Sequence, residues 1–340
     1  MKYVSSLKSS PHYPVMLDQI LSICNPQKGG IFIDCTFGAG GYSNALLSFP
    51  KTKVIALDRD AQTEKYVNKI KKKYKKRFNF YNLKFSDLEK VVNKNTKIDC
   101  IIFDLGISSL QISDLDRGFS FNSKGKADMR MGLNSISALD VLNNLELKTL
   151  TDIFRLFGEE KEAFNIASNI VKQRANKPFS SVPELIDIIK KSKKRNFKKK
   201  INISTQVFQA IRIFVNRENS ELVDGLIAAS KVLKENGKII VVTFHSIEDK
   251  IAKFFFSNYS SNKSRSSRYY PDNDKKKVLF QNYKNKIIRP SSKEIKENNR
   301  SRSAKLRFAT RSKDNYFYPE EFKNKFFQYL ELEKRNVSPL

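Results

Sequence analysis

The sequence predicts an α/β fold in which a parallel sheet is covered by helices and a separate helical domain is inserted into the chain. Three observations carry that prediction. Short runs rich in Ile, Val and Phe recur with helical stretches between them, which is the pattern of strand, helix, strand units. These runs lack polar alternation, as strands buried on both faces must. Finally, residues 113–203 abandon that rhythm, and their apolar residues fall at helical spacing.

In chain order, the runs at 31–37, 54–58, 78–83, 98–105 and 238–244 read as the five strands. Residues 305–310, Lys-Leu-Arg-Phe-Ala-Thr, read as a late edge strand. Within the insertion, Leu150, Ile153, Phe154 and Phe157, then Phe164, Ala167, Ile170 and Val171, mark helical faces. Its opening, from Arg117-Gly-Phe-Ser-Phe-Asn to Asp128-Met-Arg-Met, is irregular and contains glycine. It reads equally as a loop facing a site or as a loop whose aromatics serve the core. Residues 205–216 and 220–233 are amphipathic and are expected to return the chain to the sheet, with Glu235-Asn-Gly-Lys stopping the second helix. The expected division is a core in two parts, 1–112 and 204–313, around the insertion 113–203, with a tail at 314–340.

A chain of 340 residues, 40% of them hydrophobic, can bury a large core. Its 64 Lys and Arg against 35 Asp and Glu leave a net charge of +29, more than solubility requires, which points to a polyanionic partner. No run of 18 apolar residues exists, and the first ten residues lack the apolar stretch of a signal peptide, so nucleic acid in the cytoplasm is expected rather than a membrane. Cys24, Cys35 and Cys100 are an odd number without CxxC spacing, and with only His12 and His245 beside them neither a disulfide framework nor a metal site is supported. The basic residues cluster. Eight of the eleven residues at 190–200 are Lys or Arg, residues 257–274 are rich in Ser, Asn and Arg, and residues 250–313 hold 19 basic against 4 acidic side chains. That last segment is the expected RNA-facing surface.

The chemistry concentrates where strands end. Asp34 closes the first run and is followed by a turn bearing Gly38, Gly40 and Gly41, then Tyr42. A dinucleotide loop of the form GxGxxG fails here, because Ser43 stands where the third glycine belongs; the form DxxxGxG fits. Asp58 closes the second run, where an acceptor for two ribose hydroxyls is expected. Phe85 and Asp87 follow the third, and Phe85 reads either as a face for an adenine ring or as core. Asp104-Leu-Gly-Ile-Ser-Ser-Leu-Gln closes the fourth. Ligands of open parallel sheets bind beyond the carboxyl ends of the strands, so Asp34, Asp58, Phe85 and Asp104 are expected to converge. Asp104, or a carbonyl in its loop, is the candidate acceptor for a substrate proton. Neither Cys35 nor Cys100 is placed for covalent catalysis.

With these residues in view, the blocks at 12–18, 34–43, 56–60, 104–111, 117–121, 128–131, 209–216 and 244–249 resemble the bacterial MraW family, and the similarity runs from about residue 11 to 312. The resemblance implies a Rossmann-like S-adenosylmethionine-dependent methyltransferase fold with an inserted helical domain, and methylation of cytosine N4 in 16S ribosomal RNA, free or within the small ribosomal subunit. It places Gly40, Gly41, Tyr42, Asp58, Phe85, Asp104 and Gln111 around S-adenosyl-L-methionine. Arg117 and His245 are candidates for holding the RNA substrate. Tyr42 stands where the family usually has His, Leu110 where Pro is common, and Asn219 interrupts a stretch that is normally Glu-Leu. Two rivals remain: a nicotinamide oxidoreductase on a similar fold, and an assembly factor that keeps a degenerate methyltransferase fold as a binding module.

Overall fold

The structure, a computed structural model, describes residues 13–93, 95–193, 202–261, 277–281 and 283–337. Along the chain run α1 (Leu17–Cys24), β1 (Gly30–Asp34), α2 (Gly41–Leu47), β2 (Thr52–Leu57), α3 (Glu64–Tyr74), β3 (Phe78–Tyr81) and β4 (Ile98–Asp104). A run of helices follows: α4 (Ser109–Ser113), α5 (Ala138–Asn144), α6 (Leu147–Gly158), α7 (Ala163–Asn176), α8 (Val182–Ser192), α9 (Thr205–Asn216) and α10 (Glu218–Val232). The chain then forms β5 (Leu233–Thr243), α11 (Ser246–Asn258), β6 (Phe280–Gln281), α12 (Ser292–Glu297), β7 (Lys305–Arg311), α13 (Glu320–Lys325) and α14 (Phe327–Glu333).

The chain folds into two compact units, residues 1–106 with 221–325 and residues 107–220 with 326–340. The first unit holds a seven-stranded sheet in the order β3-β2-β1-β4-β5-β7-β6. Strands β1 to β5 are parallel, and β7 runs antiparallel to both β5 and β6. Strand order reverses direction between β1 and β4, the place where doubly wound sheets bind ligands. Both sheet faces are buried. Phe32, Val54, Ala56, Cys100, Ile102, Ile240 and Val242 share one cluster with Leu17 and Ile20 of α1, Leu46 of α2 and Ile70 of α3. The alternate positions Ile33, Ile101, Phe103, Ile239 and Val241 are equally buried, which explains why these strands read as unbroken apolar runs. Cys24, Cys35 and Cys100 are free thiols, with the sulfurs of Cys24 and Cys100 3.3 Å apart.

The second unit is helical, with α6 packed on α7 and α9, and α7 on α8. Its turns are closed by side chains. Ser137 and Asp140 make a reciprocal cap at the start of α5, and Ser181 and Glu184 do the same for α8. The loop opening this unit is clamped by Asn216, whose Oδ1 accepts the Met131 N–H at 2.8 Å and whose Nδ2 donates to the Met129 carbonyl at 2.8 Å.

Four details differ from the sequence expectation. Helix α9 packs on α6 within the helical unit rather than on the sheet, so the helical unit continues past residue 203. Nine of its twelve residues are buried, and a Cβ on Gly158 of α6 would lie 2.5 Å from the Gln206 carbonyl oxygen, so the helices cross at backbone contact. Strand β7 is not an edge, because the two-residue β6 pairs beyond it, a strand too short to leave a pattern in the sequence. Helix α10 ends at Val232, before the expected glycine stop. Asn236, with φ of 60°, and Gly237 instead form an irregularity inside β5, where pairing slips between Ile98 and Cys100. The expected tail at 314–340 contains α13 and α14, and Phe322 of α13 is buried against Phe254 and Phe255. Of the basic run at 190–200 and the Ser-, Asn- and Arg-rich stretch at 257–274, residues 190–192 close α8 and 257–258 close α11; residues 194–201 and 262–276, like His12, lie outside the described residues.

Candidate functional site

The site grows from the carboxyl ends of β1, β2 and β4. Asp34 at the tip of β1 is fully buried. Its Oδ2 accepts the Ser43 hydroxyl at 2.6 Å and its Oδ1 the Thr36 N–H at 3.3 Å, so the strand tip is bonded directly to α2. The intervening turn needs glycine on two grounds. Gly38 and Gly40 have φ of 52° and 77°, and a Cβ on Gly40 would lie 2.5 Å from Ile70 Cδ1. Gly41, the first residue of α2, has Pro14 so close that a Cβ would enter its ring. These glycines are required by close packing of the chain on itself.

At the tip of β2, Asp58 reaches back to the same turn. Its Oδ2 accepts the Gly38 N–H at 2.7 Å and its Oδ1 the Asp60 N–H at 2.9 Å. At the tip of β4, the Asp104 N–H donates to Thr36 Oγ1 at 2.9 Å, and the Asp104 Oδ2 stands 3.2 Å from the Tyr42 hydroxyl. That hydroxyl also contacts the Val15 carbonyl, at 2.5 Å. The structure therefore brings Asp34, Tyr42, Asp58 and Asp104 together through the turn at 36–41.

These three carboxyls, Asp34 buried and Asp58 and Asp104 half-buried, are poor acids. Burial raises Asp34 and Asp58 to about 6, outweighing the hydrogen bonds each accepts. Burial raises Asp104 further, to about 8, with the charges of Asp34 and Glu248 adding to the effect. Its Oδ1 is buried without a hydrogen-bond partner among the described residues. Such a site gains most from a ligand that carries positive charge and hydroxyl donors. S-adenosylmethionine supplies both, a sulfonium with an ammonium and a ribose, and the residues present fit it.

The other expected residues divide. Phe85 is 8% exposed, its ring edge-on to Phe103 at 5.3 Å and pressed on Gly225, where a Cβ would lie 2.6 Å from the ring. It serves the core, with little of its surface left for a ligand. Asp87 pairs with Lys90 at 2.8 Å. His245 caps α11 after β5, its Nε2 3.1 Å from Glu248 Oε1, while Glu248 accepts the Phe244 N–H at 2.8 Å. Gln111 and Arg117 belong to the helical unit. Gln111 and Ser108 cap α4 reciprocally, so its amide oxygen holds the Ser108 N–H at 3.0 Å. Arg117 donates to the Arg130 carbonyl at 2.7 Å and lies over the Phe119 ring.

Sequence reasoning missed two features. The bridge from Tyr42 to Val15 joins residues 27 apart and has no sequence signal. The second had one: α3 and the turn after it present Lys65, Lys69, Lys71, Lys72, Lys73, Lys75 and Lys76 to solvent, in a run less conspicuous than that at 190–200. This basic face is tied to the site, since Ile70 abuts the Gly40 turn and the Tyr74 hydroxyl donates to Asn44 of α2 at 3.0 Å.

A parallel sheet with one antiparallel strand beside β5, and strand-end carboxyls grouped around a glycine turn, fit an S-adenosylmethionine-dependent methyltransferase, and the sequence relatives show that class. The sequence model of the MraW methylase family matches residues 9–312. A protein of Sinorhizobium fredii named ribosomal RNA small subunit methyltransferase H is 42% identical over 301 residues, 88% of this chain and 87% of its own length. Proteins of the same name from Rickettsia akari and Parvibaculum lavamentivorans are 42% and 38% identical, covering 88% and 89% of this chain and 97% and 90% of theirs. The chain belongs to the MraW methylase family.

Proposed function

We propose that this methyltransferase modifies N4 of a cytosine in the decoding region of 16S ribosomal RNA, free or within the small ribosomal subunit. The observation that supports it best is the grouping of Asp34, Asp58 and Asp104 around one glycine turn, three carboxyls held at low acidity by burial in a chain of strongly positive charge. Cytosine's exocyclic amine is a weak nucleophile because its lone pair is delocalised into the ring, so positioning and proton removal are what the protein must contribute.

S-adenosylmethionine supplies an electrophilic methyl on a positively charged sulfur. Asp58 keeps one acceptor position on each oxygen beyond its bonds to Gly38 and Asp60, enough for two ribose hydroxyls. Gly40, Gly41 and Tyr42 form the turn beside it. Asp104 takes the amine proton through its unpartnered Oδ1. His245 and Arg117 hold the target nucleotide. The segment 113–203 and the basic residues of 250–313, together with the lysines of α3, grip phosphates around a base that is already unstacked or is drawn out. No helix among the described residues is long and apolar enough to cross a membrane.

Mass spectrometry of ribosomal RNA from cells with and without this protein tests the reading. A 14 Da loss confined to one decoding-region cytosine on deletion is expected, and an unchanged small-subunit RNA overturns it. Offering the purified protein naked RNA and isolated subunits separates the two substrate forms.

A further inference from the structure

The Tyr42 hydroxyl owns one proton and faces two oxygens. The Val15 carbonyl, 2.5 Å away, is only an acceptor, so the proton belongs on that line. The Asp104 Oδ2 at 3.2 Å then meets a hydroxyl oxygen with its proton already committed. A bare carboxylate there would face a lone pair, whereas a carboxylic acid would donate to it. The other carboxyl oxygen, Oδ1, is buried and has no hydrogen-bond partner among the described residues, which costs an anion far more than a neutral group. Among the described residues, the charged and titratable groups that act on the pair are Asp34 from β1, Glu248 from α11 and, on Tyr42, Glu294 from α12, all of them acidic.

We propose that Asp104 is a neutral acid in the donor-free protein, donating its proton to Tyr42, and that it gives this proton to solvent as the cationic donor binds. Tyr42 is the positioning residue that makes the exchange possible, because its hydroxyl can swing from the Val15 carbonyl to the new carboxylate. This rests on the reading of Asp104 as the acceptor facing the donor, and it deepens that reading: the base is armed only when the methyl donor is present. No bond other than O–H changes. The acid's proton passes to water or buffer, the electron pair stays on Oδ2, and the Tyr42 proton relocates without leaving its oxygen. The burial that raises Asp104 to about 8 agrees with this assignment.

The test is calorimetric titration of the full-length protein with S-adenosylmethionine and with S-adenosylhomocysteine, in buffers of differing ionisation enthalpy at pH 6 to 8.5. Near pH 7 the sulfonium form should release close to one proton more than the thioether product, and its Kd should tighten by up to about tenfold per pH unit. Asp104→Asn removes the extra release. Tyr42→Phe leaves any carboxylate at 104 without a donor, so the acid keeps its proton to higher pH, and the release at pH 7 falls by more than half. Tyr42→His, the residue usual in the family, restores part of it. Equal proton release by both nucleosides, or full release by Tyr42→Phe, overturns the proposal while leaving the donor site intact. Failure of either nucleoside to bind rejects the donor reading itself. Thermal unfolding of each variant shows that the fold is retained, and proton release is a readout that a merely structural tyrosine would not move.

Discussion

Replacing Asp58 by Ala removes four acceptor positions at one stroke, two of them occupied by the Gly38 and Asp60 N–H groups and two proposed for ribose hydroxyls. A hydrogen bond to a charged group contributes roughly 1.5–3 kcal/mol. Two such bonds to the ribose therefore hold about 3–6 kcal/mol of donor binding, and the lower end is the better guide because water compensates part of the loss. The expected result is a Kd for S-adenosylhomocysteine raised on the order of 100-fold or more. Freed backbone donors will also loosen the turn, so affinity alone does not identify the contact. Calorimetry with the parent nucleoside and with its 2′-deoxy and 3′-deoxy analogues resolves this through a double-mutant cycle. In the native protein each missing hydroxyl should weaken binding by about tenfold or more; in Asp58→Ala it should cost almost nothing further. Equal penalties in both proteins would refute the assignment of Asp58 to the ribose, and a Kd within threefold of the parent would remove Asp58 from the site.

Three further outcomes are expected. Gly41→Ala gains up to about 1 kcal/mol of helix propensity but forces a methyl into the Pro14 ring, a clash that costs about 1–3 kcal/mol, so the urea midpoint should fall. Glu333 caps α10 through the Asn219 and Ser220 N–H groups, and burial raises it from 4.5 to about 7, so the native state holds its proton more tightly than the unfolded chain. Its contribution, on the order of 3 kcal/mol, is therefore full below about pH 4.5 and lost as pH rises through about 7, and denaturant titrations from pH 4.5 to 8 should show a shallower decline in Glu333→Gln. RNA affinity should fall steeply with salt, and reversing Lys69, Lys72 and Lys76 to Glu should lower the slope of log K against log salt; an unchanged slope means that α3 does not touch phosphate.

The sequence by itself determined the sheet and the residues at its tips. Strands buried on both faces must be apolar throughout, and turns with left-handed backbone must carry glycine, so β1 to β5 and the 38–41 turn were legible. Carboxylates at strand ends stood out because nothing in a buried strand otherwise calls for them. Tertiary structure alone decided what those side chains do to one another. That Phe85 is wedged on Gly225, that Gln111 is engaged in capping α4, and that Tyr42 spans Val15 and Asp104 depend on contacts between segments far apart in the chain. The packing partner of α9 was equally hidden, since helical periodicity shows that a face is apolar but not which surface covers it. Burial does the same for acidity: Asp34, Asp58 and Asp104 are identical in the sequence, and only the unpartnered oxygen and like-charged neighbours of Asp104 set it apart as the weakest acid of the three.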